Sequence, residues 1–577
     1  MTKGNHLNKR WILPQTIKND SMQTLSGFSK LERQILANRG IHSVADAEIF
    51  LSETAQEGAD PFLLEGMNSA VYRLEAAIDE GENIVVYGDY DADGVTATAL
   101  LVEYFLALGG HVTHYIPDRF REGYGLNLEA LERIKANGAD LIVTVDCGIR
   151  ALEEVQYANE LGLDVIITDH HEPGPSLPQA CSVIDPKQER DEYPFKGLAG
   201  VGIAYKLAEA ISRKLGTNFH RDSLDLVAIG TIADMAPLVS ENRIMVQEGL
   251  RVIRGENRLG IVNLCREAGY EIDRVDATKI GFGLGPRINA AGRVDTAEYA
   301  FRLLLTEDQD RSKELAASLE QLNQKRRTIM RQSIEKARQL GLDMDREIDF
   351  IFVADESFNE GIVGLVASRL VDEFYRPAIV AVKGERSTRA SGRSVPEFHI
   401  TNALARCADL LERFGGHSAA AGFSVANENL GELEARLREI ASSQLAGKDL
   451  RPTITLDAVV RFEELDWNLQ QFIERVEPCG EGNPVPQFAA ANTKVLGKRQ
   501  VGKDGTHLKL TLEQGGKVFD AIAFRKGELY ATLPEFIDIA FRLERSDYWN
   551  TPSLELNISD IKDVGTIDKI GWCVQPG

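Results

Sequence analysis

Three aspartates occupy alternate positions in Gly88-Asp89-Tyr90-Asp91-Ala92-Asp93-Gly94, directly after the apolar run Ile84–Tyr87. Carboxylates this close repel one another, and burying them without a counter-charge is costly. A divalent cation with a preference for oxygen, Mg²⁺ or Mn²⁺, is the chemistry that holds such a set together. On its own the cluster reads equally well as a solvated acidic turn capping the next helix. Two further stretches shift the balance. Leu141–Val145 runs into Asp146-Cys147-Gly148, and Val165–Thr168 runs into Asp169-His170-His171. A fourth carboxylate, Asp234, sits inside the apolar stretch Ile229–Leu238, read as a further strand. Acids and imidazoles delivered repeatedly at the ends of apolar runs are the pattern of a metal site.

The elements that must position these groups follow from the hydrophobic pattern. Residues 1–60 form an amphipathic lead-in with helical spacing over Leu31–Asn38 and Val44–Phe50, expected to pack against the first domain. Residues 61–305 alternate strand and helix, the pattern of a mostly parallel sheet covered on both faces. In open sheets of this kind ligands bind outside the carboxyl ends of the strands, where the acids fall. Residues 306–345 read as one long connecting helix, with no Gly or Pro from Thr306 to Leu340 and a basic second half. Residues 346–447 read as a second α/β domain. Residues 452–577 change to period-2 alternation, giving five or six antiparallel strands and a small barrel of the oligonucleotide-binding (OB) type. Phe519, Phe524, Tyr548 and Trp549 are either base-stacking groups or barrel core. The fold class is therefore α/β: two α/β domains joined by a long helix, followed by an OB-type barrel.

Several cationic and polar residues are placed to meet an anion. The loop Pro117–Gly125 is Gly-rich, basic and aromatic, offering Arg119 or Arg121 to a phosphate and Tyr124 to a base. Gly283–Asp295 is a glycine-punctuated segment carrying Arg287, Asn289 and Arg293, suited either to gripping phosphate or to a structural turn tying the sheet to the next helix. Ser387–Ser394 (STRASGRS), read as a turn with exposed N–H groups, carries Ser391 and Arg393. His417 follows two glycines, ahead of a small-residue run suited to close helix packing. It is either a phosphate contact or the partner of a buried carbonyl.

Composition narrows the function further. A net charge of −23 repels phosphate at long range, so any nucleic-acid path must be locally basic or metal-lined. It argues against a duplex-coating protein, whose affinity rests on many cationic contacts. The six cysteines are scattered, without a Cys-x-x-Cys pair, which points to reduced thiols in a cytoplasmic protein. No apolar run is long enough to span a membrane, and the start has no signal-peptide core.

GDYDADG, TVDCG, TDHH and IADMAPL resemble the four motifs of the DHH phosphoesterase superfamily. GPRINAAGRVD (Gly285–Asp295), RASGRSVPEFHI (Arg389–Ile400) and RFGGHSAAAGF (Arg413–Phe423) resemble the RecJ single-strand-specific exonucleases. The resemblance covers nearly the whole chain, weakest before about residue 60 and after about 450. It implies a 5′-to-3′ exonuclease of recombination and repair, hydrolysing single-stranded DNA with two divalent ions, Mn²⁺ or Mg²⁺. Asp91 and Asp93 are expected on different ions, with Asp146 bridging and His170 and Asp234 completing the shells; Asp89, Asp169 and His171 stand in or just behind them. The substrate would touch Arg119, Tyr124, Arg287, Asn289, Arg293, Ser391, Arg393 and His417. A single-strand-binding protein and a recombination helicase are the partners implied, for a monomer. Two other readings share part of the pattern. Another DHH-type phosphoesterase, such as a pyrophosphatase or a nuclease of short or cyclic oligonucleotides, would lack the barrel. A non-catalytic repair accessory would hold its metals in closed sites.

Overall fold

The computed structural model describes residues 8–13, 24–52, 58–341, 349–546 and 552–569. They form two compact units, one of residues 58–450 with 480–482 and the other of 8–52, 451–479 and 483–569.

The first unit is built on a five-stranded parallel sheet. Its strands lie in the order His111–Tyr115, Asn83–Tyr87, Leu141–Val145, Asp164–Thr168, Ser182–Ile184. Alternate residues serve opposite faces. Val86, Val143 and Ile166 share one core with Leu100, Leu101 and Phe105 of the helix Ala92–Ala107. Val85, Ile142 and Val165 share another with Leu131 and Val155. Burial on both faces explains why these strands read as unbroken apolar runs. Register then aligns the acids. Tyr87 pairs with Thr144, Val145 with Thr168, and Thr168 with Ile184. The residues that follow, including Asp89, Asp146, Asp169 and Asp185, leave the sheet at one edge. The chain departs to opposite sides of Asn83–Tyr87, so the crevice at its carboxyl end is the topological switch point.

Helices complete this half. Gly200–Leu215 and Leu224–Ala233 contribute to the same core as Ala92–Ala107. Gln309–Gly341 is a single 33-residue helix, in keeping with the Gly- and Pro-free run. Beyond it lies a five-stranded sheet in the order Leu411–Gly416, Ala420–Ala426, Ser387–Arg393, Ala378–Lys383, Ile351–Asp355. Only its last pair is parallel.

Four local expectations differ from the structure. Asp234 caps the carboxyl end of the helix Leu224–Ala233 and follows no strand; a mostly apolar run of ten residues is as consistent with a buried helix as with a strand. Gly285–Val294 is a helix entered through a π-type turn, Ile280–Leu284, and not an irregular turn. Ser387–Arg393 is a strand between two antiparallel neighbours, its odd residues on the accessible face and Thr388, Ala390 and Gly392 buried. The small-residue run after His417 is the hairpin strand Ala420–Ala426, not a helix.

In the second unit, Phe488–Val501, His507–Gln514, Lys517–Ala523, Ser553–Asp563 and Phe536–Ser546 close into a five-stranded barrel through pairing of the first with the last. Lys517–Ala523 meets Ser553–Asp563 in parallel, so the strands are not all antiparallel as expected. The helices Lys30–Asn38 and Val44–Leu51 belong here. Leu25, Ile35, Leu36, Ala47 and Leu51 share one core with Phe462, Phe488, Leu508 and Phe541, and Arg39 pairs with Asp457 at 2.9 Å. The amphipathic lead-in therefore packs on the barrel rather than on the first domain. Periodicity shows that a helix has an apolar face but not which partner covers it. Phe519 leans against the barrel core, and Phe524 is exposed. Tyr548 and Trp549 lie outside the described residues.

Candidate metal and phosphate site

Each acid at the sheet edge is held by a different local device. Asp91 is the N-cap of Ala92–Ala107, accepting from the backbone N–H groups of Asp93 (2.9 Å) and Gly94 (3.1 Å). Asp93, in the first turn, is buried, and its carboxylate accepts from Gly200 N (2.7 Å) and Val201 N (2.8 Å) at the start of Gly200–Leu215. Two helix N-termini thus supply positive potential to one acidic cluster. Asp146 adopts φ 60°, a left-handed conformation that Asp tolerates and that turns its carboxylate back over the edge. Gly200 has no room for a side chain: a Cβ there would lie 2.7 Å from Asp146 Cβ. Asn289 accepts from Ala92 N at 2.9 Å and so braces the aspartate turn. Gly292 lets its helix approach the same turn, since a Cβ would meet Tyr90 O at 2.5 Å.

These devices bring the donors into three overlapping groups, each with ligand atoms within 4.8 Å: Asp89, Asp91 and Asp146; Asp93, His170 and Asp234; Asp146, His170 and His171. Asp169 is in none of them. Its carboxylate accepts from Ile149 N and His170 N and bonds His171 Nδ1 at 2.7 Å, which orients the two imidazoles. Asp89 Oδ1, Asp146 Oδ1 and His170 Nε2 are buried without a hydrogen bond. His170 Nε2 lies 3.0 Å from Asp146 Oδ1, at ion-pair distance but without hydrogen-bond geometry. Buried polar atoms are normally satisfied, and three orphans converging from three strands fit a divalent cation.

The electrostatics agree. Burial, then the neighbouring carboxylates, hold Asp89, Asp93 and Asp146 well above the ordinary carboxylate range. Burial and Asp91 push Asp234 to about 7. Burial, with His171 beside it, lowers His170 to about 4, so its imidazole is neutral and free to ligate. Burial works against a charge on His171, but the bond to Asp169 prevails and raises it. The cluster does not accept full negative charge without cations.

Beside the acids lies a set of guanidiniums. Arg119 sits over the Tyr90 ring at 5.0 Å. Arg293 donates to Gly361 O (3.2 Å), and Arg393 donates to Ser391 Oγ (3.0 Å) and Gly392 O (2.8 Å). Burial, then the charge of Arg119, lowers Arg293 to about 10 and also lowers Arg393. Among the described residues no salt bridge joins Arg119, Arg293, Arg326 or Arg393 to a carboxylate. Two expected contacts fare differently. Arg287 is engaged with Glu320 at 2.7 Å, and Asn289 is spent on the aspartate turn. Arg121 and His417 are exposed, and the Tyr124 hydroxyl donates to Asp146 O at 3.1 Å.

The sequence reading passed over Asp185. It ends the strand Ser182–Ile184, is fully buried, and leaves Oδ2 without a partner. Burial pushes it to about 8. The signal was an apolar step before an acid, shorter than at the other strands.

Fold and site together define a DHH-type metal phosphoesterase. The DHH family N-terminal domain matches residues 83–231, the DHHA1 domain residues 347–443, and the RecJ OB domain residues 456–560. The chain is 35% identical over 539 residues to the single-stranded-DNA-specific exonuclease RecJ of Haemophilus influenzae, covering 89% of this chain and 93% of that one. It is 41% identical over 528 residues to RecJ of Bacillus subtilis, covering 90% of this chain and 66% of the longer relative. A crystal structure of Thermus thermophilus RecJ in complex with Mn²⁺ superposes with a TM-score of 0.84 at 30% identity, over 96% of this chain and 79% of that one. The chain belongs to the RecJ family of exonucleases.

Proposed function

We propose that this chain hydrolyses single-stranded DNA from its 5′ end, holding two divalent cations, Mn²⁺ or Mg²⁺, in the carboxylate cluster. The observation that carries this is the convergence of Asp89 Oδ1, Asp146 Oδ1 and His170 Nε2, all buried and unpaired. The curated relatives are named as single-stranded-DNA-specific exonucleases, and the T. thermophilus structure contains Mn²⁺. Asp89, Asp91 and Asp146 would hold one ion, and Asp93, His170 and Asp234 the other. Asp146 Oδ1, 3.0 Å from His170 Nε2, reaches both sets. When bound, two such ions place positive charge against the scissile phosphate and make water nucleophilic near neutral pH.

The chain's own groups do the rest. Asp169 fixes His171 through Nδ1, leaving the raised imidazole to hold a proton at Nε2 for the departing oxygen. Arg393, Ser391 and Arg119 form a pocket for a 5′-terminal phosphate, and Arg293 meets an internal one. The carboxylate-free guanidiniums support this reading, because Arg393 and Arg293 are half-buried and, among the described residues, form no salt bridge with a carboxylate. We further infer a monomer in the cytoplasm, with a single-strand-binding protein and a recombination helicase presenting the strand. The five described cysteines are free, and no described helix is long and apolar enough to cross a membrane.

The test uses end-labelled strands with and without Mn²⁺. Metal-dependent release of 5′ mononucleotides from single strands, with duplex untouched, is the expected result. Arg393→Ala and Ser391→Ala should lose activity selectively on 5′-phosphorylated strands. Equal losses on 5′-hydroxyl strands would remove the pocket from the proposal.

A further inference from the structure

The loop that carries Arg119 is tied closed by a carboxylate outside the metal cluster. Asp118 opens the turn. Its carboxylate accepts from Phe120 N (2.8 Å) and Arg121 N (3.1 Å), and its carbonyl accepts from Glu122 N (2.8 Å). Glu122 closes it. One of its carboxylate oxygens accepts from Asp118 N at 2.6 Å, and the other accepts from the Tyr115 hydroxyl and from Arg133. Residues 118–122 are thus one closed turn with Arg119 at its second position. The turn is fixed to the sheet on both sides. Tyr115 ends the edge strand and stacks on Tyr87 with ring centres 5.0 Å apart, and Tyr87 ends the strand that leads into the aspartate turn. The Tyr87 hydroxyl donates to Gly125 O at 2.9 Å, beyond the turn. Arg133 reaches across from the helix Leu128–Ala136 to Tyr115 Oη and Glu122 together. The Glu122 side chain is only 13% exposed, so the tie is largely shielded from water.

On the other side of the turn, the Arg119 guanidinium lies over the ring of Tyr90, which stands between Asp89 and Asp91. Among the described residues it forms no salt bridge, so its place is set by the backbone that carries it. We propose that Glu122 is the positioning residue of the 5′-phosphate pocket: it touches no part of the substrate, and by closing the turn through Asp118 N and Tyr115 it fixes where Arg119 meets the terminal phosphate. This rests on the proposed pocket of Arg393, Ser391 and Arg119 and names what sets its selectivity. The turn is ordered when the chain folds, so phosphate binding does not bear the entropic cost of holding the loop. The guanidinium fork is directional, and a displacement of about 1 Å is enough to lose its bonds to a phosphate.

The experiment measures kcat and KM for the full chain with Mn²⁺ on strands that differ only in a 5′-phosphate or 5′-hydroxyl end. Glu122→Ala should raise KM about tenfold on phosphorylated strands, with kcat there, and both constants on hydroxyl strands, within about twofold of wild type. Glu122→Gln should keep most of the phosphate preference. Its amide oxygen can accept from Asp118 N while its amide N–H donates to Tyr115 Oη. Tyr115→Phe keeps the ring stacking and removes one bond of the tie, and should give a smaller loss of the same kind. Arg119→Ala with Glu122→Ala should be no worse than Arg119→Ala alone, because the carboxylate acts only through the guanidinium. An unchanged phosphate preference in Glu122→Ala, equal losses on both strands, or a double variant in which the two losses multiply would overturn the positioning role. Arg119→Ala with its phosphate preference intact would instead overturn the pocket on which it rests.

Discussion

At the residue scale, the acids of the site were legible because their signal is local. An aspartate repeated at alternate positions after an apolar run needs no tertiary information, and the same holds for Asp146 and the Asp169-His170-His171 run. What each acid does was less legible. Asp89 groups with Asp91 and Asp146 while Asp169 holds an imidazole, and only geometry separates those roles. Asp146→Asn keeps the left-handed turn, which Asn tolerates, and removes the charge that reaches both ligand sets. Because a metal clamp is worth several kcal/mol of transition-state stabilisation, hydrolysis should fall by more than about 10³-fold with the fold intact. Single-turnover rates and circular dichroism check this, and near-normal turnover in Mn²⁺ would remove Asp146 from its bridging place. Asp185 offers a second prediction. Its carboxyl is held at about 8 by burial against an ordinary 3.8. The group keeps its proton in the folded chain and loses it in the unfolded one. Its stabilisation is therefore complete below pH 3.8 and drains as pH rises through 8, by at most about 1.4 kcal/mol per pH unit. Asp185→Asn should flatten that decline, so that the metal-chelated variant melts a few degrees above wild type at pH 8.5 and level with it near pH 4. Parallel Tm profiles across that window would show that Asp185 is already ionised.

At the scale of elements, strands buried on both faces were legible as apolar runs, and the 33-residue helix as a stretch without breakers. Elements whose character depends on neighbours were not. STRASGR has the small, polar composition of a turn, yet its flanking strands satisfy its backbone on both sides and make it a strand. That correction changes the chemistry. Alternation in a strand, rather than N–H groups on a turn, puts Arg389, Ser391 and Arg393 on one open face. The contact of helix with acid gives the prediction that belongs here. Gly200 N and Val201 N hold Asp93, and a Cβ at Gly200 would sit 2.9 Å from Asp146 Oδ1. Gly200→Ala must push the helix away from both acids. Overpacking of this kind costs about 1–3 kcal/mol of stability. The larger effect should fall on the site, with Mn²⁺ affinity down at least tenfold by calorimetry and kcat reduced about a hundredfold. Unchanged Mn²⁺ affinity would mean that the helix N-terminus does not shape the ligand set.

At the scale of the whole molecule, the chain divides differently in space than in sequence. Residues 24–52 belong with 451–479 and 483–546 around the barrel, while the metal cluster and the guanidiniums lie together in the intervening unit. No single-sequence pattern shows this, because the apolar faces of Lys30–Asn38 and Val44–Leu51 are generic until a partner covers them. A truncation at residue 450 alone would strip the cover from Leu25, Ile35 and Leu36 and leave an apolar face in water, a source of aggregation unrelated to DNA. The informative chain runs from residue 56 to 450. Barrels of the OB type bind several nucleotides of single strand, and each stacked base contributes about 1–3 kcal/mol. The ligands of the metal cluster and the 5′ pocket lie outside the barrel, so the first few nucleotides do not need it. Cutting the barrel unit away should therefore weaken binding to strands of about thirty nucleotides at least a hundredfold and leave hexamers within about threefold. Products should shift from long runs of successive cuts toward single cuts, because a released strand must be found again. Kd and product length against strand length, for the full chain and the 56–450 chain, decide the matter. Losses equal at every length would make the barrel unit a support for the nuclease fold. Unchanged affinity on long strands would make it a docking module for another protein.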